Sequence, residues 1–277
     1  MDDGSTDESL SIIQQFQDRI LWETGSNRGG NSARNRLLDL AQGEWLQYLD
    51  ADDCLLPEKV ANQMEFLKRD EETDVVFGPV TLEHWSESNS YRELLEIPEP
   101  RDQWVLLARW NLPQTGASLW RKQAVMSVGG WRVDQPCCQE HELYLRLLKA
   151  GKVFRYCSHN GAVYRQWTQD TVCNRDQPEV HRRKLEIESH AESFLRSRDQ
   201  LTPERLWAIN QARFEVARMA WQYAPSVACE IMQVVAGSLP DFLPRDQAAP
   251  PLYRLTYRLF GFRLAEQLAT VTRAIRK

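Results

Sequence analysis

No stretch of this chain reads as a secretory signal peptide, and no apolar run is long enough to span a bilayer, which leaves a membrane-embedded reading without support. Basic residues are not in excess: 34 Lys and Arg face 39 Asp and Glu, a net charge of −5, which argues against a nucleic-acid partner. The six cysteines have no metal-type spacing. Cys54, Cys157, Cys173 and Cys229 are scattered and Cys137 and Cys138 are adjacent, so a zinc module is disfavoured. Buried thiols in a reduced, cytoplasmic setting are the expectation. No internal repeat or low-complexity tract is visible. What is there suits a globular protein: 42% hydrophobic and 26% charged residues over 277 positions, enough for one large domain or a domain with an appendage.

The most informative stretch is Trp45–Leu49 followed by Asp50-Ala51-Asp52-Asp53. The apolar run predicts a buried strand. Three carboxylates at its exit repel one another and resist desolvation, and a hard divalent cation bound to phosphate would offset both costs.

Around it the pattern alternates between helix and strand. Ser5 and Glu8 are spaced as a capping box, predicting a helix from about Thr6 with Leu10, Ile12, Ile13, Phe16 and Ile20. Ile20–Trp22 reads as a strand. A polar glycine loop over 25–31 leads into a helix over 32–42 with Ala33, Leu37, Leu40 and Ala41 inward. Pro57 suits a first helical turn, with Val60, Met64 and Leu67 at helical spacing. Strands are expected at 74–77, 118–120, 153–156 and 162–165, helices at 103–110, 122–128 and 140–150, and a variable loop over 81–103. The alternation predicts an α/β layer with a mainly parallel sheet over residues 1–177. Beyond about Pro178, charged helices near 179–198, 203–222 and 226–237 predict a helical C-terminal region, 178–277. Its last stretch mixes Tyr253, Tyr257, Phe260 and Phe262 with Arg254, Arg258, Arg263, Arg273, Arg276 and Lys277. The plain reading is a packed helix with a solvated basic face. The sharper one is a helix lying on a membrane surface.

Five groups could carry chemistry, each beside a plainer reading. Asp2 and Asp3 in Asp2-Asp3-Gly4-Ser5-Thr6-Asp7 could accept hydrogen bonds from a base or ribose at a strand end, or merely cap a turn. Asn27-Arg28-Gly29 and Ala33-Arg34-Asn35 could cradle phosphate, or form a surface loop. Asp50 and Asp52 could divide ribose and metal between them, or end a strand with Asp52 or Asp53 capping the next helix. Glu140 in Gln139-Glu140-His141-Glu142 could remove a proton from a sugar hydroxyl, or be an ordinary acidic first turn. Arg165 in Tyr164-Arg165-Gln166-Trp167 could stabilise a leaving diphosphate, or sit on an edge strand.

Taken in order, these pieces resemble the family 2 glycosyltransferases of the GT-A fold. The resemblance runs through Asp2–Asp7, Asn27–Gly29, Ala33–Asn35, Leu49–Asp53, Gly129–Trp131, Gln139-Glu140 with Leu143–Leu147, and Tyr164-Arg165, covering residues 1–167. It implies transfer of a sugar from a nucleotide-sugar donor, often UDP-linked, to a saccharide, lipid or other acceptor, with inversion. It also implies Mg²⁺ or Mn²⁺ at Asp52, Asp2 or Asp3 at the base, Asp50 near ribose, Glu140 where the family carries its catalytic Asp, and the acceptor near Gly116 and Glu140. Three departures stand out. The family's first strand and helix are missing, so a chain truncated at its start is the expectation. Gln139-Glu140 replaces Glu-Asp, and Trp167 stands where many members have histidine. A phosphohydrolase with Asp50 as nucleophile is a rival, but Cys54 sits where that chemistry wants a hydroxyl. A non-catalytic transferase fold that binds or scaffolds is the other.

Overall fold

Short apolar runs between polar turns yield short strands, and the helices that follow them carry the chain from one strand to the next. The computed structural model describes residues 1–85, 90–99, 101–166 and 176–275. It divides into two units, Met1–Pro98 with Leu112–Asn174 and Glu99–Asn111 with Arg175–Lys277.

The first unit is mixed α/β. Helices α1 (Ser9–Gln14), α2 (Gly30–Leu40) and α3 (Lys59–Leu67) alternate with strands β1 (Trp45–Leu46), β2 (Cys54–Leu55) and β3 (Val75–Phe77). Strands β4 (Val80–Trp85), β5 (Ser90–Leu95) and β6 (Leu119–Arg121) follow, with helix α4 (Gln103–Ala108), assigned to the second unit, between the last two. Helices α5 (Lys122–Ser127) and α6 (Gln139–Lys149) and strands β7 (Phe154–Tyr156) and β8 (Ala162–Gln166) complete it. The described strands form two four-stranded sheets, β1-β6-β3-β7 and β2-β8-β4-β5.

The layering of sheets and helices is as expected, but the pairing is mixed rather than mainly parallel. Only β3–β7 and β4–β8 run parallel among the paired strands. A parallel neighbour needs a long crossover, and both pairs are separated by α5 and α6; the short connection from β4 to β5 permits only an antiparallel hairpin. That hairpin replaces the expected loop over 81–103. Its polar sequence hid it, because Glu83 is buried inside the sheet on ion pairs from Arg92 and Arg165. Ile20–Trp22 forms no strand; a single parallel bridge joins Asp2 to Thr24 instead. The Ser5–Glu8 capping box is not made either. Ser5 donates its N–H to Asp2 (3.2 Å), and Asp7 accepts from the Ser9 N–H (2.9 Å) at the start of α1.

Helix phase also departs from expectation. The buried side of α2 carries Asn31 and Leu38, with Leu37 exposed; the buried side of α3 carries Lys59, Gln63 and Leu67, with Val60 exposed. Both helices turn polar side chains inward, so apolar spacing alone pointed to the wrong phase. Beneath the sheet, Trp120 stacks on Tyr144 (centroids 5.0 Å apart) and Tyr48 meets Trp131 edge-on (5.4 Å). Such ring pairs contribute about 0.5–1.5 kcal/mol each beyond area burial.

The second unit is helical: α4, then α7 (Gln177–Ser197), α8 (Pro203–Ala220), α9 (Pro225–Ser238) and α10 (Pro251–Ile275). Its core gathers Phe214, Ala217, Ile231, Val235, Tyr253 and Phe262. No described helix is long and apolar enough to cross a membrane.

Candidate active site

The candidate residues sit on loops, on helices α2 and α6 and on strand β8 of the first unit. At the N-terminal end, both Asp2 oxygens are used: one accepts from Ser5 N–H and the other from the Thr24 hydroxyl (2.6 Å). Hydrogen bonds from Ser5 first, then Thr24, hold the Asp2 carboxyl below its ordinary range. Asp3 accepts the backbone N–H of Arg28 (2.9 Å) and Gly29 (2.8 Å), pinning the glycine loop. The approach is close: Gly4 has φ +80°, and a Cβ there would lie 2.8 Å from the Asn27 nitrogen. Asn27 itself is exposed on this loop.

Arg34, on α2, is the hub. Its guanidinium donates to Asp50 (2.7 Å), to Gln139 (2.7 Å) and to Asn31 (3.2 Å), and it lies 4.9 Å from the centre of the Trp131 ring. Three acceptors reached from one planar group, and an aromatic ring at its side, suit arginine and not lysine. One side chain therefore joins the acidic loop to the start of α6. The same helix is laced to the Gly129–Trp131 turn. Asn35 donates to the Trp131 carbonyl and accepts its N–H (both 2.7 Å), and Asn31 donates to the Arg132 carbonyl (2.6 Å). Sequence reasoning missed these two asparagines as braces; the Gly-Gly-Trp motif was the signal, since its exposed backbone groups need partners.

Within the acidic loop the three carboxylates differ. Asp50 is paired with Arg34. Asp53 is buried and accepts the Arg165 N–H (3.0 Å), tying the loop to β8. Burial pushes its carboxyl up to about 7, with the charges of Asp52 and Asp50 adding to the rise. Asp52 is exposed. This excess of carboxylate over cationic partners, all hard oxygen donors, fits a divalent cation. No cluster of three ligating side chains exists among the described residues, so phosphate and water would complete the shell, as Mg²⁺ usually requires.

Glu140, at the second position of α6, accepts from the Thr115 hydroxyl. Thr115 opens a short 3₁₀ turn, Thr115–Ala117, held by Gln114 on the Gly116 N–H and by Gln47, which donates to the Gly116 carbonyl (3.0 Å) and the Tyr48 carbonyl (2.6 Å). Gln47 in turn accepts from Lys59, which is 2% exposed and also donates to Gln63 (2.8 Å). Burial brings the Lys59 amine down to about 7. None of Gln47, Lys59 or Thr115 carries a readable sequence signal. Arg165 donates through Nε to Glu83 (3.0 Å). Trp167, the last residue of its motif, lies outside the described residues.

Comparison with known proteins points to a family and a fold. Residues 1–125 match the family model "Glycosyl transferase family 2". A PGL/p-HBAD biosynthesis glycosyltransferase of Mycobacterium bovis is 37% identical over 87 residues, 30% of this chain and 34% of that one. The UDP-Glc:alpha-D-GlcNAc-diphosphoundecaprenol beta-1,3-glucosyltransferase WfaP of Escherichia coli is 35% identical over 94 residues, 33% of each chain. The matches thus span about a third of these relatives' own length. Among solved structures, S. aureus TarS 1–349 with UDP-GlcNAc superposes over 99% of this chain and 81% of its own, with TM-score 0.58 at 12% identity, a likeness of fold. Over its N-terminal 125 residues the chain is thus similar to the family 2 glycosyltransferases.

Proposed function

We propose that the protein transfers a sugar from a nucleotide-linked donor, UDP-linked above all, to a hydroxyl of a saccharide or lipid-linked acceptor by direct, inverting displacement. The observation that carries this reading is the Arg34 hub, which couples Asp50 of the acidic loop to Gln139 beside Glu140. The printed name of the E. coli relative, with a UDP-glucose donor and a diphosphoundecaprenol acceptor, and the UDP-GlcNAc in the TarS structure support the donor and acceptor classes.

In this mechanism Glu140 takes the proton of the acceptor hydroxyl as its oxygen bonds to the anomeric carbon and the bond to diphosphate breaks. Thr115 occupies one Glu140 oxygen and fixes the carboxylate's direction. Asp50 meets the ribose, and its pairing with Arg34 keeps it oriented. Asp2 and Asp3 have their oxygens engaged within the protein, so they serve base recognition by shaping the backbone around it, Asp3 at Arg28 and Gly29 and Asp2 at Ser5 and Thr24. Arg165 reaches the diphosphate on giving up Glu83. A divalent ion held by Asp52, when bound, supplies charge neutralisation of the departing diphosphate. Five described cysteines are free thiols, which fits a reduced, cytoplasmic setting.

Calorimetry with UDP and Mn²⁺, together with product mass spectrometry over a panel of nucleotide sugars, tests the proposal. Asp52→Asn should abolish Mn²⁺-dependent UDP binding with the fold intact. Glu140→Gln should keep UDP binding and lower transfer on the order of 10²–10⁴-fold. No UDP affinity in the unaltered protein, or undiminished turnover by Glu140→Gln, would overturn it. A binding module is the second reading, favoured by Gln139, an amide held by Arg34 where the resemblance calls for an acid. Intact UDP binding without turnover on any donor would establish that reading.

A further inference from the structure

Helix α10 turns Tyr253 and Phe262 into the core of the helical unit, with Phe260 left exposed, and its single carboxylate, Glu266, is fully buried on Arg218, Tyr253 and Arg273. What it turns outward is different. Leu252, Leu255 and Leu259 are 75%, 55% and 62% exposed, and after a break at Gly261 (φ +79°) Leu264, Leu268 and Val271 continue the series. Both sets follow helical spacing, so each half of α10 carries an unpartnered apolar ridge. Beside the ridge, Arg254, Arg258 and Arg263 are exposed, and no exposed acid accompanies them on this helix. In a chain of net charge −5, the exposed charges that this helix itself carries are all positive.

We propose that the outer face of the first half of α10, before Gly261, binds the surface of an anionic phospholipid bilayer, with Leu252, Leu255 and Leu259 at the headgroup–acyl boundary and Arg254 and Arg258 among the phosphates. Exposed apolar area and exposed positive charge on one face are what an in-plane helix needs. With no described helix able to span a bilayer, the helix lies on the surface rather than across it. A second copy of the chain fits less well, because a twofold contact through this face would set its arginines against themselves. The proposal does not rest on the transferase reading, since the bilayer meets only α10.

Co-sedimentation of the full chain with vesicles tests it, comparing pure phosphatidylcholine with vesicles containing about a third phosphatidylglycerol. Binding is expected only to the anionic vesicles and should fall with added salt. Arg254→Gln with Arg258→Gln should weaken it about 30-fold, from about 1 kcal/mol for each arginine. Leu255→Ser with Leu259→Ser should remove it, while UDP binding and the circular dichroism spectrum stay as in the unaltered protein. Failure to bind anionic vesicles, or binding indifferent to both double substitutions, would overturn the proposal. A concentration-dependent dimer lost in the leucine variant, without vesicle binding, would do the same by giving the ridge to a second copy.

Discussion

The two units are held by different kinds of interaction. In the α/β unit the decisive bonds join residues far apart in the chain: Arg34 to Gln139, Asn35 to Trp131, Asp53 to the Arg165 backbone. Its elements are short, with three strands of only two or three residues each around the acidic loop and the 3₁₀ turn. In the helical unit distant bonds such as Arg205 to Asp102 and Arg109 to Glu215 stand beside many local ones. Asp176 caps α7 through the Glu179 N–H (3.0 Å), Thr202 caps α8 through the Arg205 N–H (3.3 Å), and Arg196 pairs with Glu192 one turn away (2.7 Å). A site assembled from several loops needs the first kind. A helical unit can be specified by the second, with tertiary packing adding to it.

The contrast can be broken most severely at Trp131, which is 2% exposed and lies under Arg34. Trp131→Ala should cost about 3–5 kcal/mol in urea unfolding, with hydrogen-exchange protection lost across the α/β unit and retained in α7–α9. Uniform loss over both units would erase the distinction. A smaller effect is expected at Lys59. Its amine is lowered by burial to about 7 from 10.5, so between those values the unfolded chain holds a proton the folded one lacks. Stability should therefore rise with pH across that window, and below it the folded state carries the full cost of a buried charge. Lys59→Met should gain about 2 kcal/mol near pH 6, net of the loss from the two glutamines left without their donor, and should be destabilising near pH 10, where that loss is no longer offset. A pH-independent difference would remove the titration. Smallest is Thr202→Ala, about 1 kcal/mol and confined to α8 in hydrogen exchange; an effect spreading into the α/β unit would mean the caps act at long range.

The motif order was legible because each motif marks a loop after a strand or before a helix, and chemistry needs those residue types there. Asp52 and Glu140 could be proposed as site residues without a structure. Their supporting side chains could not. Gln47, Lys59 and Thr115 act through contacts made by residues remote in sequence, and polar residues on an inner helix face look like surface residues in a linear reading. The same effect hid the β4–β5 hairpin, where Glu83 is buried only because Arg92 and Arg165 reach it.

From the amino acids alone came the alternation of helix and strand, the helical C-terminal region and the family resemblance, because periodicity and turn chemistry are local and motif order is linear. Tertiary structure decided strand direction, helix phase, the binding of Arg34 to both Asp50 and Gln139, and which side of α10 faces outward. Each of those depends on which distant group arrives to satisfy a buried polar atom or cover an apolar face, and spacing along a chain does not encode that arrival.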